Sequence, residues 1–108
     1  MSFHIRKVDV NQPQIVMALR ASGFSVAITS SLGRGFPDLC VGINLGGLNG
    51  IDRRYTTLIE IKDGTKPLSA QKLTPDELKF RENWAGNYHI IRSVEDVANL
   101  LDNLRGVE

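Results

Sequence analysis

The chain has 108 residues, 42% of them hydrophobic and 23% charged, which is the size and composition of one ordinary globular domain and excludes wholesale disorder. Thirteen Lys and Arg against twelve Asp and Glu leave a net charge of +1, which excludes a protein that coats nucleic acid by bulk charge alone.

In chain order, Asn11 reads as a helix cap, with Pro13 in the first turn, an apolar stripe of Ile15, Val16 and Leu19, and Gly23 as the stop. Phe24 to Thr29 alternates, carries β-branched residues and reads as a strand. A glycine-rich turn, Gly33-Arg34-Gly35-Phe36-Pro37, leads into a buried strand from Asp38 to Ile43. Leu45 to Asp52, with Gly46, Gly47 and Gly50, reads as a hairpin connection to a third strand, Tyr55 to Lys62. Residues 63–73 read as a polar loop. Thr74-Pro75-Asp76-Glu77 is a helix start with the residues of a capping box, and that helix carries Leu78, Phe80 and Trp84 and stops near Gly86. Phe80 and Trp84 read as core. Tyr88 to Arg92 is a short strand, and Ser93 caps a last helix striped by Val94, Val97, Leu100, Leu101 and Leu104. The order α-β-β-β-α-β-α implies an α/β fold, a small mixed sheet flanked by helices.

Neither repeats nor linkers divide the chain, so residues 1–108 are expected to form a single domain. The lone cysteine, Cys40, has no internal disulfide partner and reads as a small core residue. No apolar run approaches a membrane span, and the N-terminus lacks the apolar stretch of a signal peptide. His4 and His89 stand in no zinc-binding spacing, and no histidine-based nucleophile is apparent.

The chemistry concentrates at two strand ends. Glu60 and Lys62 lie two apart on one strand and so share a face. A hairpin sets the start of one strand beside the end of the next, so Asp38 converges with them at one edge of the sheet. Pro37-Asp38 is also a common turn dipeptide, and Glu60 and Lys62 alone would pass for a solvated strand face. Their apolar setting of Leu58, Ile59 and Ile61 weighs against that, because unpaired charges in such a strand are costly. Two carboxylates suit Mg²⁺, which keeps several waters, lowers the pKa of a bound water and neutralises charge on a phosphate. A neighbouring lysine orients the attacking water or meets the phosphate.

Gly35-Phe36-Pro37-Asp38-Leu39-Cys40-Val41-Gly42, Leu58-Ile59-Glu60-Ile61-Lys62, and Leu73-Thr74-Pro75-Asp76-Glu77 ahead of Phe80 and Trp84 together resemble a virus-type replication-repair nuclease (VRR-NUC) domain. That family belongs to the PD-(D/E)xK nuclease superfamily, whose core is restriction-endonuclease-like. The resemblance spans about residues 11 to 104 and extends to the closing Tyr88-His89-Ile90-Ile91-Arg92-Ser93-Val94-Glu95-Asp96-Val97. It implies catalytic roles for Asp38, Glu60 and Lys62, with metal held by Asp38, Glu60 and the Ile61 carbonyl. Relatives place a glutamate on the first helix; here the candidate is Gln14, with Gln12 as the alternative, and both are neutral. Glu77 stands where relatives commonly carry glutamine, and it reads equally as a further ligand or as a helix cap.

The net charge hides an asymmetry. Residues 1–72 carry nine basic and five acidic side chains, whereas residues 73–108 carry four and seven. Arg34, Arg53, Arg54, Lys66 and Lys72 lie on loops near the motifs and suit contacts to DNA phosphates, Arg34 foremost. The expected activity is a Mg²⁺-dependent, or Mn²⁺-dependent, endonuclease acting on DNA. The resemblance suggests branched or Holliday-junction substrates and a phage or bacterial origin, hence a cytoplasmic setting. Symmetric cutting of two strands calls for two sites, and so for a homodimer. The alternatives are a non-catalytic DNA- or protein-binding module with a degenerate nuclease fold, for which the neutral Gln14 speaks, and a sequence-specific restriction or homing nuclease.

Overall fold

A computed structural model of the chain describes residues 9–46 and 50–106. The elements are α1 (Gln12–Ala21), β1 (Ser25–Ile28), β2 (Leu39–Asn44), β3 (Arg54–Ile61), α2 (Pro75–Asn83), β4 (Tyr88–Ile91) and α3 (Val94–Leu104). This is the expected succession, with one short 3-10 turn, Leu68–Gln71, inside the loop before α2. Gly47 of the hairpin connection and His4 lie outside the described residues. Among the described residues, no helix is long and apolar enough to cross a membrane.

The strands form one mixed sheet in the order β1-β2-β3-β4. The β1–β2 and β2–β3 pairs are antiparallel, and the crossover through α2 brings β4 parallel to β3. Strand alternation divides the sheet into two unlike faces. Leu39, Val41, Ile43, Ile59, Ile61 and Ile91 make one face. It packs on Ile15, Val16 and Leu19 of α1 and on Val97 and Leu100 of α3 to form the hydrophobic core. The other face carries Cys40, Leu58, Glu60, Lys62 and Ile90, and α2 lies over it, held by a Lys62–Glu77 ion pair.

Four sequence expectations change here. Asn11 makes no side-chain cap for α1. Its Nδ2 instead donates to the Lys62 and Arg92 carbonyls, each at 3.2 Å, tying the start of α1 to the ends of β3 and β4. Phe80 and Trp84 are not core residues: α2 contributes only Glu77 to the interior, Trp84 is 42% exposed, and the two rings stack on each other at 5.5 Å. Cys40 is half-buried on the face toward α2 rather than within the core. Val94, at the first position of α3, is exposed, while the rest of its stripe turns inward.

The glycine-rich turn sets the approach of α2 to the sheet. Gly33, Arg34 and Gly35 all take positive φ, at 71°, 55° and 77°, a conformation that costs a residue with a Cβ about 1–2 kcal/mol. At Gly35 space is also lacking, because a Cβ would run into the Asp76 carbonyl at the start of α2, whereas Gly33 faces open space. Gly33→Ala is expected to cost only that backbone term, about 1 kcal/mol. Gly35→Ala must displace α2 as well and is expected to cost about 2–3 kcal/mol or more. Urea unfolding of both variants checks this, and equal losses would show that the turn and α2 are not in close contact.

Candidate functional site

β2 and β3 place the central residues opposite one another. Leu39 pairs with Ile59, so one step further along the antiparallel register brings Asp38 beside Glu60. Two hydrogen bonds at the β1 edge hold this end of β2: the Thr29 N–H donates to the Asp38 carbonyl at 2.8 Å, and Thr29 Oγ1 donates to the Pro37 carbonyl at 2.7 Å. Asp38 Oδ2 accepts the Ile61 N–H at 2.8 Å. The carboxylate therefore occupies a place in the β3 ladder, which orients it toward Glu60.

Both carboxyls are buried, Asp38 at 4% exposure and Glu60 at 2%. Glu60 Oε1 accepts no hydrogen bond. Burial, then a hydrogen bond and charge from Asp38, push Glu60 far above the usual carboxylate range. Glu60 therefore holds its proton more tightly than an exposed carboxyl does. Lys62 is buried on the same face, and its Nζ donates to Glu77 Oε1 at 2.7 Å.

Glu77 fills both roles between which the sequence left it divided. It completes the capping box, accepting the Thr74 N–H at 2.8 Å while its own N–H donates to Thr74 Oγ1. The same Oε1 also receives Lys62. Burial raises its pKa, but the hydrogen bonds from Lys62 and Thr74 outweigh that, and the net shift is downward. Glu77 therefore stays an anion while Glu60 takes the proton.

On the first helix, the structure exposes Gln14 and buries Gln12, whose Nε2 lies 3.4 Å from Ser30 Oγ. The glutamine on the inner side of α1 is thus Gln12, not the preferred Gln14. Two further residues that the sequence reading passed over belong to the site. Asp9 precedes α1; burial raises its pKa, and the next largest influence is the charge of Asp38, with Lys62 opposing. Tyr88 Oη is buried without a hydrogen-bond partner. Burial and then the charges of Glu60 and Glu77 push its pKa upward. Asp9 stands in no motif and Tyr88 only opens the closing segment of the resemblance, with no site role implied; the register of β4 and the entry of α1 bring them here.

The proposed phosphate-binding residues separate into two groups. Arg34 is exposed in the turn beside α2, Lys66 is close enough to influence Asp9 and Asp63, and Lys72 lies ahead of α2. These three surround the Asp38–Glu60 end of the sheet. Arg53 and Arg54 do not: Arg54 begins β3 opposite Asn44, about 20 Å from Glu60 along the strand, and is paired at the surface with Asp52. Additional cations at the near end come from Lys79, Arg81 and Arg92. Lys79 shares an open groove with Arg34, and Arg81 and Arg92 share another with Lys72.

Among the described residues, no group of three or more His, Cys, Asp or Glu side chains is arranged to hold a metal ion by itself. The donor set is the two buried carboxylates of Asp38 and Glu60, with one Glu60 oxygen unsatisfied. Hard carboxylate oxygens of this kind fit a cation that retains most of its water, as Mg²⁺ does. Glu77 is already engaged by Thr74 and Lys62. No model of a known protein family, no curated protein and no solved structure matches this chain.

The proton held at Glu60 has a measurable consequence. A carboxyl whose pKa is raised by folding stabilises the fold in its neutral form. That contribution is complete below its unfolded value of 4.5 and is lost as pH rises toward its folded value. In metal-free buffer, Glu60→Gln is therefore expected to gain Tm over the parent chain as pH rises from 5 to 9, reaching several degrees. Calorimetry across that range tests it. A difference that is constant or shrinks with pH would show that folding does not raise Glu60.

Proposed function

We propose that the chain is a divalent-metal-dependent endonuclease that hydrolyses DNA phosphodiester bonds, with the PD-(D/E)xK core that its motifs resemble. The observation that carries this reading is the buried Asp38–Glu60 pair with Lys62 two residues on and on the same face. Two carboxyls brought together under a helix, one of them with an unsatisfied oxygen, are poorly explained as a device for stability. They are well explained as cation ligands.

Asp38 and Glu60 would hold the cation, and the Ile61 carbonyl is the third ligand that the resemblance implies. When bound, Mg²⁺ or Mn²⁺ supplies a water of lowered pKa and neutralises charge developing on the phosphate. The residues of the chain do the rest. Lys62 has three N–H donors, of which Glu77 takes one, leaving two for the attacking water or a phosphate oxygen. Glu77 positions that ammonium, and the capping box fixes Glu77 in turn. Arg34, Lys66 and Lys72, with Lys79, Arg81 and Arg92, form a basic rim that holds the DNA backbone without reading sequence. Branched or junction DNA is the substrate class proposed, and a homodimer would present two such sites to two strands.

A second reading, a non-catalytic DNA-binding module, is favoured by the Lys62–Glu77 pair, which engages both the lysine and the third acidic side chain. Mn²⁺ calorimetry separates the two, because a module would bind DNA with no dependence on the metal.

The deciding experiment incubates labelled single-stranded, duplex, flap and four-way junction DNA with the protein, with and without Mg²⁺ or Mn²⁺. Metal-dependent cleavage is expected, with preference for branched forms, falling by about a hundredfold or more in Lys62→Ala and in Asp38→Asn. Cleavage that persists unchanged in both variants, or that needs no metal, would defeat the proposal.

A further inference from the structure

Three and seven residues beyond Glu77, Phe80 and Trp84 form an aromatic array with Phe36, half-buried at the two phenylalanines and exposed at Trp84. Phe36 meets Phe80 edge-on at 5.1 Å, and Phe80 stacks on Trp84 at 5.5 Å with the rings 20° apart. Trp84 lies just past the end of α2 in extended backbone. Its Nε1 donates to the Asn87 carbonyl at 3.1 Å, and the Nε1 edge of its ring lies against Gly86, where a Cβ would collide with it. The indole is thus held in one orientation although 42% exposed. An open groove runs along this array, lined also by Arg34, Lys79, Asn83 and Asp76.

This groove adjoins the proposed active site on both sides. Asp76 immediately precedes Glu77, and Phe36 lies two residues before Asp38. Rigid aromatic faces flanked by cations are the means by which proteins bind single-stranded nucleic acid, since any base offers a ring to stack and a phosphate to pair. A peptide partner would also find apolar surface here, but the paired cations Arg34 and Lys79 at the groove, on the same side as the basic rim, match a polyanion.

We propose that this groove binds one unpaired nucleobase on Trp84, with its phosphates at Arg34 and Lys79, so that the DNA cut at Asp38 and Glu60 carries a single-stranded segment beside the scissile bond. The proposal rests on the nuclease reading and narrows it: the branch is recognised through an unstacked base rather than through duplex shape.

Trp84 is the chain's one tryptophan, so its emission reports the groove directly. Titration of the protein in EDTA with a twelve-nucleotide oligo-dT is expected to quench that emission saturably, with loss of binding at high salt, while a blunt duplex of equal length quenches little. Labelled oligo-dT is expected to bind Trp84→Leu about tenfold more weakly and Trp84→Phe nearly as well as the parent, with circular dichroism confirming the fold of each. Binding of oligo-dT without quenching would overturn the proposal, as would a loss in Trp84→Leu that is equal for duplex and single strand. An emission change that follows protein concentration without DNA would also overturn it, because the groove would then join copies of the chain. The metal-free titration also distinguishes the two failures. Quenching by a protein that never cleaves would defeat the nuclease reading alone, and cleavage without quenching would defeat the groove alone.

Discussion

The contact between Lys62 and Glu77 is the one on which the site side of this fold depends. α2 contributes no apolar residue to the hydrophobic core, and its single buried side chain is a carboxylate. The helix is therefore held over the sheet by an ion pair at 2.7 Å, by a ring contact between Phe36 and Phe80, and by the close approach of Gly35. A buried ion pair contributes little net stability when its desolvation is counted, but losing one partner is expensive. Helix position and lysine position are consequently one variable: whatever moves Glu77 moves the Lys62 ammonium.

The two faces of the sheet divide the labour. Ile59 and Ile61 join the apolar core with α1 and α3, while Leu58, Glu60 and Lys62, between and beside them on the same strand, look the other way. The burial of aliphatic side chains on one face supplies the stability that lets the opposite face hold two carboxyls and an ammonium out of water. Asn11 reinforces this from the core side. Its bonds to the Lys62 and Arg92 carbonyls anchor the strand end that carries the lysine, so α1 serves the site without offering it a charged residue.

Charge follows the same division. The chain as a whole is close to neutral, yet Arg34, Lys66, Lys72, Lys79, Arg81 and Arg92 are gathered around the end of the sheet where Asp38 and Glu60 lie. Two of these six come from the acidic C-terminal third as members of α2, and one follows β4. A protein organised in this way presents its positive surface locally, as the proposed nuclease would need in order to release its DNA.

Sequence alone determined the order and type of the elements and the convergence of Asp38, Glu60 and Lys62. Those features depend on local periodicity, on capping residues and on the two-residue repeat of a strand, all of which are written along the chain. What tertiary structure decided concerns contacts between segments far apart in sequence. The phase of α1 turns Gln12 inward and Gln14 out, because two residues rotate a helix by about 200°. Asp9 and Tyr88 reach the site only because α1 starts, and β4 pairs with β3, beside it, and Arg53 and Arg54 miss it because they lie at the start of the strand that Glu60 and Lys62 finish. Trp84 and Phe80 carry the composition of a core but line a groove, because the core was already closed by α1 and α3 on the other face of the sheet. Residue type states what a side chain prefers; only the packing of the whole chain states which of the available surfaces remains for it.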